Sequence, residues 1–224
     1  MVLNKLTLSK ITKLTHDVYE LIFASADDFN VIPGQFVTFI LPSWLRRAYS
    51  VAYQKWKTFE FIIKRLENWR WWSIEVCDLE VWCEISYIWP VWNFLLSDSE
   101  ASKLFIWTWT WFAPLYFQIK AALEKWSKEK MRLIFWIRRE EDIFYENELK
   151  KLKNDYTNFD YLLFLSREDT FKYRKWYVTD FLRSENIFNY HEYYICWSAQ
   201  MVVDARSRLD KLWINKEKIF FEQY

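Results

Sequence analysis

Over residues 1–95 the apolar positions come in short β-branched and aromatic runs, at 6–14, 18–25, 35–41, 48–54, 59–66 and 83–88, with polar turns between them. Runs of this kind predict strands, and six of them predict a small antiparallel β-barrel. The polar stretch LSDSEASK, 96–103, reads as a linker. From residue 104 the pattern changes. Strand-like runs at 103–106, 131–137, 159–166, 192–196 and 218–222 alternate with helical patterns near 112–125, 141–153, 178–185 and 198–212. That alternation predicts a five-stranded parallel sheet with helices on its faces. The expected fold class is β + α/β, with a barrel domain over 1–97 and an α/β domain over 98–224.

Composition changes this picture at one point. The chain has 16 Trp and one Gly in 224 residues. A chain of this length ordinarily carries about 16 Gly. Glycine is the residue that reaches positive φ without a Cβ penalty, and turns, helix ends and phosphate loops depend on it. The tryptophans fall where such residues are wanted. Trp126 and Trp213 each follow an amphipathic run, at a helix C′ position. Trp56 and Trp69 lie in the polar turns QKWK and ENWR. Trp82 precedes the strand CEISYI, and Trp176 precedes a helix start. The expectation is that UGA codons meaning glycine are written here as tryptophan. Several of Trp69, Trp82, Trp126 and Trp213 should then be exposed with positive φ.

Other totals are ordinary. A net charge of +1 gives no bulk attraction to nucleic acid or acidic lipid. Cys77, Cys83 and Cys196 are too few and too scattered for a disulfide framework, a zinc site or a cysteine-ligated cluster, so no metal is expected. The longest uncharged run, 104–119, is short for a bilayer span and contains Pro114. A cytoplasmic protein without a membrane span is expected.

Read with glycine at the tryptophans, FIWTWTWFAP (105–114) becomes strand, glycine-rich turn and helix. A turn of that kind lets backbone N–H groups approach a pyrophosphate at a helix N-terminus. Further motifs stand in order along the chain. They are RAYS at 47–50, IIK at 62–64, RWWS at 70–73, WPVWNF at 89–94, TWFAP at 110–114, FWIRRE at 135–140, SR at 166–167, CWSAQM at 196–201 and the terminal FFEQY. Together they resemble the ferredoxin–NADP reductase superfamily, with glycines of its signature written as Trp.

The resemblance implies a flavoprotein that passes a hydride from NAD(P)H to FAD and electrons to a separate acceptor. It assigns FAD contacts to Arg47, Tyr49, Ser50, Ile62, Ile63, Lys64, Trp71, Trp72 and Ser73. Arg47 would pair with the pyrophosphate and Tyr49 would pack on the flavin ring. Nicotinamide-nucleotide contacts fall on Trp107, Trp109, Trp111, Pro114, Arg138, Ser166, Arg167, Trp197 and Met201. Arg167, helped by Arg174 and Lys175, would favour NADP over NAD by charge. Cys196, Thr110, Glu222 and Tyr224 would stand near the reacting rings. In the chain as written, Trp107, Trp109 and Trp111 should occupy the pyrophosphate space, and Trp71 and Trp72 should crowd the flavin turn. His16 and His191 are expected to be turn or surface residues, because hydride transfer needs no acid or base. The acceptor would be ferredoxin, flavodoxin, free flavin or a partner subunit. A free-flavin reductase is the nearest alternative. An aromatic-rich interaction domain with genuine tryptophans is the alternative of another class.

Overall fold

The computed structural model describes residues 4–67, 71–91, 94–108, 112–173, 175, 177, 181–182 and 187–223. The first sheet has seven antiparallel strands: β1 (Asn4–Lys13), β2 (Val18–Ser25), β3 (Phe36–Ile40), β4 (Arg46–Ser50), β5 (Tyr53–Lys55), β6 (Thr58–Lys64) and β7 (Glu84–Val91). Their order is β4-β3-β7-β1-β2-β6-β5. Six apolar runs give seven strands because the run at 48–54 divides. The Val51 N–H donates to the Gln35 carbonyl at 3.2 Å, and the next N–H, of Ala52, donates to the Glu60 carbonyl at 2.8 Å. Two successive residues thus pair toward opposite edges of one sheet, which curls it on itself. Alternate side chains of β2, β3 and β6 point inward. Phe23, Phe39 and Phe61 meet there, with ring centroids 4.8–5.8 Å apart.

A short helix, α1 (Trp71–Cys77), follows β6 where the sequence pattern suggests only a turn. The second sheet is parallel: β8 (Lys103–Thr108), β9 (Met131–Ile137), β10 (Phe159–Leu165), β11 (Glu192–Trp197) and β12 (Ile219–Gln223), in the order β10-β9-β8-β11-β12. All six β8 residues are buried, as a central strand covered on both faces must be. The helices are α2 (Ala113–Glu124), α3 (Glu146–Asp155) and α4 (Ala199–Lys211). The expected helix at 141–153 is shorter and later. A 3₁₀ turn at Glu140–Asp142 comes first, and Tyr145, at φ 59°, starts α3. Most of the expected helix at 178–185 lies outside the described residues. Ile106, Ile134, Trp136, Phe164 and Ile195 form one apolar core with Val202, Ala205 and Leu209 of α4.

Contacts gather the chain into two units. One is Met1–Leu96 with Phe112–Gln118, and the other is Ser97–Trp111 with Ile119–Tyr224. Within the first unit the single glycine, Gly34, sits at φ 103°. A Cβ there would lie 1.9 Å from the Phe94 carbonyl oxygen and 2.7 Å from Gln118 Nε2. Gln118, wholly buried, donates from Nε2 to that same carbonyl at 2.6 Å. In the second unit the amino ends of β8 and β11 carry a buried ion pair, Lys103 and Glu192, directly opposite each other in register.

Candidate functional site

In the first unit, β4 presents Arg47 and Tyr49 on one side of the strand, two residues apart. The Tyr49 ring packs on Phe39 at 5.3 Å, half-buried. The Arg47 guanidinium donates from Nη1 to its neighbour's carbonyl, on Arg46, at 2.8 Å. Its Nε is buried with no hydrogen-bond acceptor among the described residues. An inward-facing guanidinium donor of this kind fits an anionic oxygen. The tryptophans beside it fit less well. The Trp72 indole lies over the same guanidinium, 4.1 Å from ring centroid to Cζ, and Trp71 next to it is exposed.

Ser73 is buried, and its hydroxyl accepts from the Leu66 N–H at 3.0 Å, which ties the end of the β6 segment to α1. Ile62 and Ile63 are buried in β6. Lys64 pairs with Asp17 at 2.5 Å and is only 15% exposed. Ser50 closes β4 opposite Phe36.

In the second unit the strand order turns back between β8 and β11. Successive strands run outward from β8 on one side and from β11 on the other. In an open parallel sheet a crevice forms outside the carboxyl ends of the strands at such a reversal, and ligands bind there. Three expected residues stand at this place in one line across three strands. Cys196 of β11 is opposite Trp107 of β8 on one side and Glu222 of β12 on the other. Cys196 is fully buried. Burial lifts its thiol well above the ordinary value, and the Glu222 carboxylate adds to the lift. The sulfur is therefore a neutral thiol at neutral pH, suited to packing against a ring and not to nucleophilic attack.

The Trp107 indole is also fully buried, stacked on Phe135 at 3.8 Å. It fills space against the sheet between Phe135 and Phe144. Pro114 falls in the first turn of α2, where its missing N–H costs no hydrogen bond.

At the carboxyl ends of β9 and β10, Arg138 and Arg167 are exposed and adjacent. The Arg167 N–H donates to the Arg138 carbonyl at 3.0 Å, and the Ser166 N–H donates to that of Ile137 at 2.9 Å. Lys175 follows on the same side, its N–H donating to Asp169 Oδ1 at 3.1 Å. Met201, 41% exposed, lies on the first turn of α4, and Trp197 ends β11. Trp69, Trp109, Thr110, Trp111, Arg174 and Tyr224 lie outside the described residues. Among the described residues, no group of three or more His, Cys, Asp or Glu side chains is gathered as for a metal ion. No helix among them is long and apolar enough to cross a membrane.

One residue escaped the sequence reading. Gln118 is the only polar side chain in the apolar run FAPLYFQI, and it anchors the first half of α2 to the Phe94 carbonyl. An amide at a helix position whose neighbours are all apolar was the available signal.

A seven-stranded antiparallel sheet followed by a parallel sheet with a reversal at its centre defines a two-unit, β + α/β class of protein. Residues 105–207 match the family model described as oxidoreductase NAD-binding domain. A similar protein is the toluate 1,2-dioxygenase electron transfer component of Pseudomonas putida, 22% identical over 204 residues. That match covers 90% of this chain and 61% of the relative, so the chain spans less than two thirds of that protein's length. Among solved structures, the Amycolatopsis cytochrome P450 reductase superposes with a TM-score of 0.89 at 20% identity, over 99% of this chain and 70% of that one. A ferredoxin–NADP+ reductase from Plasmodium falciparum superposes at 0.84 and 20% identity, over 98% and 95%. The chain shares the two-sheet fold of these reductases, and residues 105–207 are similar to the oxidoreductase NAD-binding domain.

Proposed function

We propose that this chain is a flavin-dependent NAD(P)H reductase that delivers electrons to a separate acceptor protein. The observation that carries this reading is the alignment of Cys196 and Glu222 with the end of β8 at the strand reversal, in a unit whose residues 105–207 are similar to the oxidoreductase NAD-binding domain. Bound FAD would supply the chemistry, taking up a hydride and releasing electrons singly. The chain's own residues bind and align. Arg47 holds the diphosphate through its inward guanidinium, and Tyr49 offers an aromatic face to the flavin ring. Cys196, uncharged, packs where the nicotinamide ring comes, and Glu222 bounds the same place. Thr110, Ser50 and Tyr224 complete the two ring positions in this reading, and Met201 and Trp197 border the nucleotide.

Arg138, Ser166 and Arg167 form the adenosine end. Two exposed arginines on adjacent strand ends favour a 2′-phosphate, hence NADPH. The acceptor is a ferredoxin, a flavodoxin or a protein of like role. The similar protein from Pseudomonas putida is itself an electron transfer component. The three free cysteines suit a reducing, cytoplasmic setting.

The test uses the chain with glycine at its 16 tryptophan positions. Steady-state reduction of ferricyanide by NADPH is expected, with FAD retained through purification. Cys196→Ala should lower kcat by roughly 10-fold or more and leave FAD content unchanged, because alignment and not binding is lost. Arg167→Ala should lower kcat/KM for NADPH by about 10–100-fold and change that for NADH far less, as expected for the loss of one charge-assisted arginine–phosphate contact. A glycine form that binds no flavin and oxidises neither nucleotide would sink the reading. Equal rates with NADH and NADPH would remove the NADP preference alone.

A further inference from the structure

We infer that Trp44, Trp56, Trp82, Trp126 and Trp213 occupy positions built for glycine, and that the protein its own host makes carries glycine there. Six non-glycine residues among those described have positive φ, and five of them are these tryptophans, at φ 66°, 57°, 78°, 60° and 61° in chain order. Bulky side chains rarely adopt this region, because the Cβ approaches the following carbonyl oxygen.

Each of the five sits in a turn whose geometry calls for glycine. In the β3–β4 hairpin, the Trp44 N–H donates to the Leu41 carbonyl at 2.8 Å and the Leu41 N–H to the Leu45 carbonyl at 2.9 Å. Pro42 and Ser43 make the turn, and the residue after them is the left-handed one of a three-residue loop with a bulge. Trp56 and Lys57 form the two-residue β5–β6 hairpin, with positive φ only at the first. That is the backbone pattern of a type II′ turn, whose first central residue is glycine. Trp82 is the third residue of the turn closed by the Cys83 N–H on the Glu80 carbonyl at 3.0 Å. A φ of 78° there is that of a type II turn, which takes glycine at this place.

The last two positions end helices. After α2, the Trp126 N–H donates to Leu123 at 3.0 Å and the Ser127 N–H to Ala122 at 3.1 Å. After α4, the Trp213 N–H donates to Asp210 at 3.0 Å and the Ile214 N–H to Leu209 at 3.1 Å. Both are the paired bonds of a Schellman end, with the left-handed residue at C′.

Their side chains give no reason for the strain. The five indoles are 80%, 87%, 76%, 83% and 92% exposed, in chain order, so packing does not hold the backbone in this region. Tyr145 is the contrast. It has φ 59°, but its ring is 8% exposed and packs against Phe144. A binding surface of genuine tryptophans would need exposed rings, but it has no need of left-handed backbone in five turns of four different kinds. One codon accounts for all five. UGA is read as tryptophan in some genetic codes and as glycine in others.

The inference stands apart from the reductase reading, since neither of its readouts involves flavin or nucleotide. Protein isolated from its own host and digested is expected to give peptides with glycine at 44, 56, 82, 126 and 213 by mass spectrometry. Tryptophan masses at these positions overturn the inference. Independently, the fivefold variant W44G/W56G/W82G/W126G/W213G of the chain as written is expected to melt higher, by roughly 5–10 °C in total. The variant Y145G is expected to melt lower. A fivefold variant that melts at the same temperature as the chain as written, or lower, overturns the inference.

Discussion

With glycine at all 16 tryptophan positions, the protein is expected to purify yellow, with FAD bound, while the chain as written comes out colourless. The reason is contact distance. A diphosphate is bound by backbone N–H groups only where the chain can come within hydrogen-bond reach, and any Cβ at the touching residue keeps it away. In the chain as written, the Trp72 indole covers the guanidinium of Arg47, whose buried Nε is the donor a diphosphate would use. Trp107 fills the end of β8 at the strand reversal.

Calorimetric or dye-monitored melting in excess FAD gives a second readout. At a free concentration of about 100 times Kd, a ligand that binds only the folded state adds about 2.7 kcal/mol. In a chain of this size that is a rise in Tm of roughly 5–10 °C. The chain as written should show no rise. Stoichiometric uptake of FAD by the chain as written would end this account of the tryptophans at the site, whatever the five turn positions turn out to hold.

The two halves of the fold were legible because periodicity reports burial. Short aromatic and β-branched runs give the antiparallel sheet, and alternation of strand and helix gives the parallel one. What the periodicity could not give were changes of partner along one run. The stretch 48–54 is a single apolar pattern, yet Val51 and Ala52 pair with different strands, and this alone makes a seventh strand. Likewise α1 is written WWSIEVC, and its opening residues look like a turn in sequence. Tyr145 interrupts the helical pattern near 141–153 because its ring packs inward while its backbone is left-handed.

At the site, Cys196 and Glu222 could be picked out by motif. Their alignment with Trp107 could not, since the register of parallel strands separated by long crossovers is fixed by the packing of the helices between them. The turn tryptophans show the opposite case. Their strangeness was visible in the composition, and the dihedral angles supply its physical form.

Glu192→Ala is expected to destabilise the second unit by about 3–5 kcal/mol, the usual cost of stranding one member of a buried ion pair. Glu192 is 1% exposed and Lys103 is 2% exposed. The carboxylate accepts from the hydroxyls of Ser97 and Ser99, both at 2.7 Å, and of Tyr194 at 3.1 Å. It also lies 3.5 Å from the Lys103 ammonium and 3.6 Å from that of Lys218. Lys103 Nζ donates besides to the Ser99 and Ala101 carbonyls at 2.7 and 3.0 Å. Neither residue stood out in the sequence, since a lone charge at the head of KLFI or EYYIC reads as a strand-edge residue in water.

Removing the carboxylate leaves the buried ammonium with neutral acceptors only. Replacing both partners, Lys103→Met with Glu192→Leu, should cost much less, because no charge is then stranded. The pH dependence has a definite sign. Burial pushes the Glu192 carboxyl up, but hydrogen bonds from Ser97 and Ser99 together with the charge of Lys103 outweigh it, and the net shift is downward. A lowered folded-state value means the stabilisation is full above the unfolded carboxyl value, about 4.3. It is lost as pH falls through the lower folded-state value. Melting curves of the parent chain and of Glu192→Gln from pH 7 to pH 3 should therefore run apart at neutral pH and converge at the acid end. A gap that widens on acidification would show that the carboxylate is strained in the fold, not held by it.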